Sequence, residues 1–380
     1  MITSLHIEHF KAAASVTVPL GPITVLIGPN DSGKSTILQA LMALSRAGDS
    51  QRLGVEQLLN CPAAVATTDR DTSLNVLLEV EGTSHLDTAR HGYQYRLALS
   101  MQPAVILDEE VRWNDRPLLT ARYDSVRTIH PTLEQVTSWP GISTELGVLA
   151  HEAPTRKNGA TKAQFQAIAH DLRATLLRLD SRAIAQPCPL GTPLLADGSG
   201  LVGIVDDLLT SGVGEDKITR ANEVIRKLSP HVKGVAAKLH HSGGKELHFA
   251  LRSGAVIPAS QMSDGIVLAA ALVLISLGAG TRRLLIEEPE NGLHPRQLRI
   301  VADTIRSIAN EHGTQVVLTT HSPLLLNHFG AKETLLVTRN RDGVSVRPMD
   351  TTAGFDELST EMSLGELWYN VGDSDLVRPA

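Results

Sequence analysis

Short runs of consecutive apolar residues, each followed by polar or turn-forming residues, are the main pattern along this chain. Three of these runs lie at residues 24–27, 283–286 and 315–319. A continuous apolar run of this length is typical of a strand buried on both faces of a parallel sheet. The pattern therefore predicts three buried parallel strands, and polar residues follow each of them.

The first part of the chain adds further strand patterns. Residues 1–10 and 16–27 have strand patterns, and residues 35–44 have helical spacing. Residues 73–123 indicate antiparallel strands, which we place at residues 74–80, 93–100 and 104–111. We therefore expect an α/β fold with an antiparallel sheet in its first lobe.

From about Thr144 the periodicity becomes helical. Apolar residues recur at helical intervals in residues 163–179, 201–209 and 218–228. Because Pro and Gly separate these segments, they predict a helical insert. The expected division is a first lobe, the insert and a second lobe, at residues 1–143, 144–241 and 242–380.

The second lobe begins with mixed patterns. Residues 246–251 predict a strand, and an apolar helix is expected from Ile266. Residues 333–348 predict a hairpin around Asp342-Gly343, a turn pair that favours tight hairpins.

Composition excludes some classes of protein. Among the 380 residues, 42% are hydrophobic, which is enough for a sizeable core, and 3% are aromatic, which argues against a stacking surface for single-stranded nucleic acid. The formal net charge of −6 does not suggest a constitutive DNA coat, although it leaves room for a local basic face.

The cysteines and the termini bear on the compartment. Cys61 and Cys188 lack metal-ligand spacing, so we expect no disulfide framework and no structural zinc. The first residues lack a signal-peptide core, and the apolar stretch at residues 266–279 is too short to span a bilayer. The expected location is cytoplasmic, with no membrane association.

A glycine-rich loop follows the first apolar run. Residues 28–36, with the sequence GPNDSGKST, fit the pattern G-x-x-x-x-G-K-[ST]. Successive backbone N–H groups curl around a phosphate, and glycine is needed where the turn is crowded. Lys34 can reach the terminal phosphates, and the Ser35 hydroxyl can bind Mg²⁺. The strand before this loop and the helix after it are the context that the motif requires.

Two carboxylates, Glu287 and Glu288, end the second apolar run. They could form a solvated acidic turn, which is common after a core strand. Beside a phosphate loop they also suit ATP chemistry, because an open parallel sheet binds ligands at the carboxyl ends of its strands. In that case Glu287 holds Mg²⁺ through water, and Glu288 orients or deprotonates the attacking water.

His321 ends the third apolar run. A lone histidine is usually structural. Here it follows a strand expected to neighbour the other two, which suits a sensor of the γ-phosphate.

Ser263, Asp264 and Gly265 precede the long apolar helix. Ser or Asp at this position is commonly a helix N-cap, and that alternative stays open. An exposed helix start with this sequence would also suit a phosphate approaching from another subunit.

These four segments, in this order, resemble the ABC-type ATPases of the SMC, RecF and OLD-like group. In particular they are similar to the small bacterial AAA-labelled ATPases that often accompany anti-phage and toxin modules. Residues 262–265 resemble the signature motif, residues 287–295 the Walker B motif and D-loop, and residues 320–323 the H-loop. Weaker similarities to the family lie at residues 7–11, 195–201 and 363–368.

The resemblance implies a P-loop ABC-type ATPase head with ATP and Mg²⁺ as cofactors. It implies catalytic roles for Glu288 and His321, and metal binding by Ser35 and Glu287. The nucleotide-binding residues it implies are Gly28, Pro29, Asn30, Asp31, Ser32, Gly33, Lys34, Ser35, Thr36, Ser263, Asp264 and Gly265.

The resemblance also implies a homodimer in which two heads enclose two ATP molecules. Lys34 and Ser35 of one copy and Ser263 of the other would contact the same nucleotide, which demands twofold symmetry.

The chain departs from the family pattern at several points. Asp31 stands where Gly is usual, and Asp tolerates a left-handed turn better than most residues. Glu287 stands where Asp is usual, and its extra methylene bears on the rate of hydrolysis rather than on nucleotide binding. A Q-loop glutamine is not identified. The segment after His321 is too short for the TOPRIM domain of OLD nucleases.

Three outputs of ATP turnover stay open. The first is anti-phage defence, in which the ATPase controls an effector, a nuclease or toxin from a neighbouring gene. The second is a RecF- or SMC-like DNA-binding ATPase in repair or maintenance. The third is a transporter subunit, which fits least because such subunits usually carry a clear Leu-Ser-Gly-Gly-Gln motif.

Overall fold

A computed structural model of the chain describes most of its residues. The described ranges are 1–49, 55–59, 75–86, 88–101, 104–124, 127–129, 146, 149–150, 161–189, 191–211, 214–241, 243–340, 343–352 and 355–369. Cys61, the expected boundary at Thr144 and the hairpin residue Asp342 lie outside these ranges.

Strands and helices alternate along the described residues. The strands are β1 (Ile2–Phe10), β2 (Ala13–Pro19), β3 (Ile23–Ile27), β4 (Val76–Leu86), β5 (Ala89–Met101), β6 (Ala104–Trp113), β7 (Arg116–Asp124), β8 (Arg127–Ile129), β9 (Ala174–Leu177), β10 (Val232–Leu239), β11 (Lys245–Leu251), β12 (Val256–Pro258), β13 (Arg283–Glu287), β14 (Gln315–Thr320), β15 (Thr334–Asn340) and β16 (Gly343–Pro348). The helices are α1 (Lys34–Ala47), α2 (Val55–Leu59), α3 (Lys162–Leu172), α4 (Ser181–Ile184), α5 (Leu201–Thr210), α6 (Glu215–Leu228), α7 (Asp264–Gly278), α8 (Pro295–His312), α9 (Pro323–Leu326) and α10 (Phe355–Leu358).

Contacts between residues divide the chain into two compact units. Unit 1 consists of residues 1–21, 28–174 and 336–347, and unit 2 consists of residues 22–27, 175–335 and 348–380. The sequence instead predicted a first lobe, a helical insert and a second lobe, and that division stays a prediction.

Unit 1 contains an antiparallel sheet with the strand order β2-β1-β4-β5-β6-β7-β8. Buried and accessible positions alternate along β4, as expected for a sheet with one covered face. On the buried side, the Tyr95 hydroxyl donates a hydrogen bond of 2.9 Å to Glu109 Oε1. This sheet confirms the antiparallel arrangement predicted for the first lobe, and its strands are longer than their apolar patterns.

Unit 2 contains the three predicted parallel strands. Strand β14 lies between β3 and β13, and β9 follows β13 at the edge of the sheet. Every residue of β3, β13 and β14 is buried, which explains their continuous apolar runs. Helix α7, which is buried along almost its whole length, packs against α8.

The helix predicted at residues 163–179 was wrong for the second half of this range. Helix α3 ends at Leu172, and the chain continues as β9, from Ala174 to Leu177. The apolar spacing continues across this boundary because β9 lies at a sheet edge beside β13, where its side chains are also partly covered. A short apolar run cannot by itself distinguish a strand from a helix end.

Strands β15 and β16 are neighbours, as the pattern at residues 333–348 predicts. No helix among the described residues combines the length and hydropathy needed to cross a bilayer.

Candidate functional site

The phosphate loop connects β3 to α1. Strand β3 ends at Ile27, and α1 begins at Lys34 after an N-cap glycine, Gly33, with a φ of 104°. Asp31 has a φ of 61°, in the left-handed region that Asp tolerates. The N-cap residue of α1 is a glycine and provides no side-chain cap, and a helix N-terminus of this kind is suited to binding an anion.

Two glycines of this loop lie where a side chain cannot fit. A Cβ atom on Gly28 would overlap the carbonyl oxygen of Val337, and one on Gly33 would overlap the side chain of Val344. Both glycines also have positive φ angles, of 154° and 104°. The loop can therefore keep this path only with glycine at both positions.

Lys34 folds back onto the loop. It is 7% exposed, and its ammonium donates hydrogen bonds of 2.8 Å to the Gly28 carbonyl and 2.6 Å to the Pro29 carbonyl. Ser35, which follows it, is exposed. The ammonium is therefore held by loop carbonyl oxygens in a position from which it can turn to phosphate oxygens.

In unit 2, the register of the parallel strands aligns the carboxyl ends of β3, β13 and β14 at one edge of the sheet. Ile27 at the end of β3 is opposite Thr320, and Glu287 is opposite Thr319. Glu288 and His321 follow directly, so the predicted acidic strand end and the predicted histidine lie together at the carboxyl edge.

Glu287 is a buried carboxylate. Its side chain is 6% exposed, and neither of its oxygens accepts a hydrogen bond from the described residues. The guanidinium of Arg178 forms an ion pair with it. A buried carboxylate without hydrogen-bond donors requires a cation, so this donor set fits Mg²⁺.

Glu288 contacts His321 directly. The two are joined by 3.1 Å between Glu288 Oε1 and His321 Nε2, and both side chains are partly exposed. The second carboxylate oxygen accepts a hydrogen bond of 2.8 Å from the Asn291 side chain. An exposed carboxylate held at both oxygens is well placed to accept a proton from water.

Glu290 was not identified from the sequence as a site residue. Its Oε1 accepts hydrogen bonds of 2.7 Å from the Thr320 hydroxyl and 2.8 Å from the His321 backbone N–H. It therefore fixes the backbone that carries His321. Its place two residues after Glu288 was the available signal. Asn291 lay within the segment that resembles the D-loop but was not assigned a role, and nothing in the sequence indicated Arg178.

The predicted signature segment begins α7. Ser263 is the N-cap by position, but its side chain makes no capping hydrogen bond, and it is exposed. The Asp264 carboxylate accepts a hydrogen bond of 2.6 Å from Ser181, and a Cβ on Gly265 would lie 2.8 Å from Cβ of Gln297. The simple capping role therefore does not account for the Ser263 hydroxyl.

The described residues contain no group of three or more His, Cys, Asp or Glu side chains able to hold a metal ion. A Mg²⁺ ion bound with a nucleotide needs only one or two protein ligands, because phosphate and water oxygens supply the rest. The Ser35 hydroxyl and the Glu287 carboxylate each have the chemistry for such a ligand.

Solved structures of SMC heads have a similar fold. An SMC head bound to the C-terminal winged-helix domain of ScpA has a TM-score of 0.52 at 16% identity, over 91% of this chain and 96% of that chain. An SMC head with a coiled coil and joint from Pyrococcus yayanosii has a TM-score of 0.53 at 12% identity, over 92% and 97%. The fold is therefore that of a P-loop ABC-type ATPase head.

A short segment is similar to an OLD nuclease from Thermus scotoductus (strain ATCC 700910 / SA-01). The identity is 42% over 41 residues, which are 11% of this chain. The chain spans only 8% of the length of that relative.

Residues 23–327 match the family described as "AAA domain, putative AbiEii toxin, Type IV TA system". The match includes the phosphate loop, the acidic strand end, the signature segment and His321, and it covers well over half of the chain. This protein therefore belongs to that family of AAA domains and has the ATP-binding P-loop of an ATPase.

Proposed function

We propose that this protein hydrolyses ATP to ADP and phosphate as a homodimer and uses the cycle to control a partner protein. The start of α1 is the observation on which the proposal rests. It combines a helix N-terminus, a glycine-rich loop and the buried Lys34 ammonium, which together favour an anion with several oxygens.

In this proposal the loop binds the phosphates of ATP through its backbone N–H groups and Lys34. The binding residues are Gly28, Pro29, Asn30, Asp31, Ser32, Gly33, Lys34, Ser35 and Thr36. Bound Mg²⁺ neutralises charge on the phosphate oxygens, and Ser35 and Glu287 are the residues that hold it.

Glu288 is the general base of the proposed reaction. Its carboxylate accepts a proton from the attacking water, while Asn291 and His321 keep it oriented. His321 also senses the γ-phosphate, and Glu290 holds its backbone in place. In the ABC-type ATPases that this chain resembles, the phosphate loop and the acidic strand end serve the same nucleotide.

A pair of variants tests the chemistry. Glu288→Gln should retain ATP but lower turnover at least about a hundredfold, because an amide cannot accept the proton. Lys34→Ala should abolish ATP binding. Isothermal calorimetry gives the affinities, and phosphate release gives the rates.

Glu215→Gln, an exposed glutamate at the start of α6, is the matched control and should behave as wild type. Wild-type turnover by Glu288→Gln would assign the base elsewhere, and unchanged ATP affinity in Lys34→Ala would exclude the phosphate loop as the binding site.

The second ATP contact comes from another copy of the chain. Ser263, Asp264 and Gly265 begin α7 with an exposed serine hydroxyl that makes no capping hydrogen bond, which suits a γ-phosphate arriving from outside the subunit. Each subunit then contributes its phosphate loop to one ATP and its signature segment to the other, and the dimer is twofold symmetric.

The output is control of an effector, a nuclease or toxin from a neighbouring gene, in anti-phage defence. The toxin–antitoxin description of the family supports this output, and the predicted helical insert at residues 144–241 is the proposed docking surface for the partner. ATP-driven closure would then hold or release the partner. A RecF- or SMC-like DNA-binding ATPase is the alternative, favoured by the exposed Lys233, Lys238 and Arg252 of unit 2.

Purification from the native operon separates these outputs. We expect a second protein to remain bound in an ATP-dependent manner, and we expect the purified ATPase alone not to cut plasmid DNA or tRNA with Mg²⁺. Co-purifying DNA whose retention falls steeply with salt would favour the alternative. Cleavage by the ATPase alone, lost on mutation of a carboxylate other than Glu287 and Glu288, would contradict the need for an effector.

A further inference from the structure

Glu287 requires a positive charge even before a nucleotide binds. Its side chain is 6% exposed, and neither oxygen accepts a hydrogen bond from the described residues. Removing an ionised carboxylate from water without compensation is unfavourable, so the nucleotide-free protein needs a cation at this position.

Arg178 provides that cation. Its guanidinium forms an ion pair with Glu287, while 61% of its side chain remains exposed to solvent. Arg283, in the strand that ends with Glu287, is instead a buried arginine. It is 1% exposed and is held by a hydrogen bond of 2.9 Å to Gln315. Arg178 can therefore exchange its partner for water at little cost, whereas Arg283 cannot.

The backbone around Arg178 is fixed at several points. The Arg178 N–H donates a hydrogen bond of 2.7 Å to the Ala196 carbonyl, and the Asp180 N–H donates one of 3.0 Å to the Asp197 carbonyl. The Ser181 hydroxyl donates one of 2.6 Å to Asp264 in the signature segment. Because these bonds fix the corner between β9 and α4, only the side chain of Arg178 is free to leave Glu287.

We infer that Arg178 is the resident counter-cation of Glu287 and that it competes with Mg²⁺ for this carboxylate. The inference rests on the proposed role of Glu287 as a metal ligand. A guanidinium in contact with the carboxylate repels an incoming divalent ion and occupies an oxygen, Oε2, that the ion needs. Arg178 is thus a positioning residue that stabilises the empty site and raises the Mg²⁺ concentration at which the site fills.

The test measures metal binding to the nucleotide-free, full-length protein. Mn²⁺ binding is followed by electron paramagnetic resonance, and the melting temperature is measured in EDTA and in Mg²⁺. Arg178→Gln should bind Mn²⁺ at least about tenfold more tightly than wild type, since it loses an ionic competitor. The melting temperature of Arg178→Gln in EDTA should be lower than that of wild type, because Glu287 is then left without a cation. Mg²⁺ should raise the melting temperature of this variant by more than it raises that of wild type.

Three further variants make the result specific. Arg178→Lys keeps a cation and should lie between wild type and Arg178→Gln. Arg182→Gln removes an exposed arginine of the same corner that forms no ion pair with Glu287 among the described contacts, and it should match wild type. In a Glu287→Gln background, Arg178→Gln should no longer change Mn²⁺ affinity.

Mn²⁺ affinity of Arg178→Gln equal to or below that of wild type, or no detectable binding by this variant, would overturn the inference. So would an effect that persists in the Glu287→Gln background. Calorimetry with Mg²⁺ and ATP distinguishes a failure of this inference from a failure of the proposed function. If wild type binds ATP as proposed while Arg178→Gln leaves metal affinity unchanged, only the inference fails. If wild type does not bind ATP, the proposed function fails, and the Mn²⁺ comparison still reports on the Arg178–Glu287 pair.

Discussion

Glu288 adopts a backbone conformation that most residues avoid. Its φ is 48°, in the left-handed region where a Cβ atom is crowded. Hydrogen bonds hold it there: its N–H donates to the Thr319 carbonyl at 3.0 Å, and its carbonyl accepts from Asn291 at 3.1 Å. Such conformations persist where surrounding structure enforces them, often at functional sites. Here the turn directs the carboxylate to His321, in agreement with the proposed general base.

Gly33 is one of the two glycines of the phosphate loop at which a side chain does not fit. Gly33→Ala should lower the free energy of unfolding by about 1–3 kcal/mol and weaken ATP binding, because its Cβ would overlap Val344 and its φ is 104°. Chemical denaturation and calorimetry provide the two measurements.

The Val344→Ala substitution separates the effect of the overlap with Val344 from the effect of the Gly33 φ angle. Combined with Gly33→Ala it removes the overlap but leaves the unfavourable φ, so it should restore only part of the lost stability. A Gly33→Ala protein as stable as wild type would show that this close packing is not required.

At the scale of elements, the C-terminal segment determines how α9 is held after His321. The Gly365 N–H donates a hydrogen bond of 2.6 Å to the Asn327 side chain, and a Cβ on Gly365 would overlap the Pro323 carbonyl. Ser363 donates from its hydroxyl and backbone to Glu366, and these two bonds lower the pKa of Glu366. This segment, at residues 363–368, was only a weak family similarity in the sequence.

Gly365→Ala should displace this segment and loosen α9. Hydrogen exchange at residues 322–329 should become faster, because Asn327 loses its backbone partner. Gly203→Ala, at a helical glycine with only ordinary contact to Thr192, is the control and should leave exchange unchanged. Equal exchange rates in Gly365→Ala and wild type would mean that α9 is positioned without the C-terminal segment.

At the scale of the whole molecule, the proposed dimer makes a prediction that neither subunit alone can satisfy. Ser263→Arg should leave ATP binding by its own phosphate loop intact, but it should block closure because a bulky side chain meets the partner's γ-phosphate. Lys34→Ala has the opposite defect. When the two proteins are mixed, each mixed dimer has one intact site, so part of the ATPase activity should return.

Subunit exchange provides the control for this experiment. Differently tagged copies show by co-purification that mixed dimers have formed. If mixed dimers are present and turnover does not recover, Ser263 and Lys34 do not serve the same nucleotide.

Much of the candidate site was predictable because it depends on residues that are close together in the sequence. Glu287 ends a buried apolar strand, and the phosphate loop, Glu288 and His321 each follow such a strand directly along the chain. Parallel strands place their carboxyl ends at one edge of a sheet. The lobe boundaries and the composite site stay predictions.

The sequence by itself thus determined the phosphate loop and the three parallel strands, since glycine spacing and apolar runs act over a few neighbouring residues. Only the tertiary structure decided that residues 174–177 form a strand, that Arg178 pairs with Glu287 and that Glu290 holds the His321 backbone. The physical reason is that these depend on partners distant in the chain. From the sequence alone, an arginine whose side chain is solvated cannot be distinguished from one that pairs with a buried carboxylate.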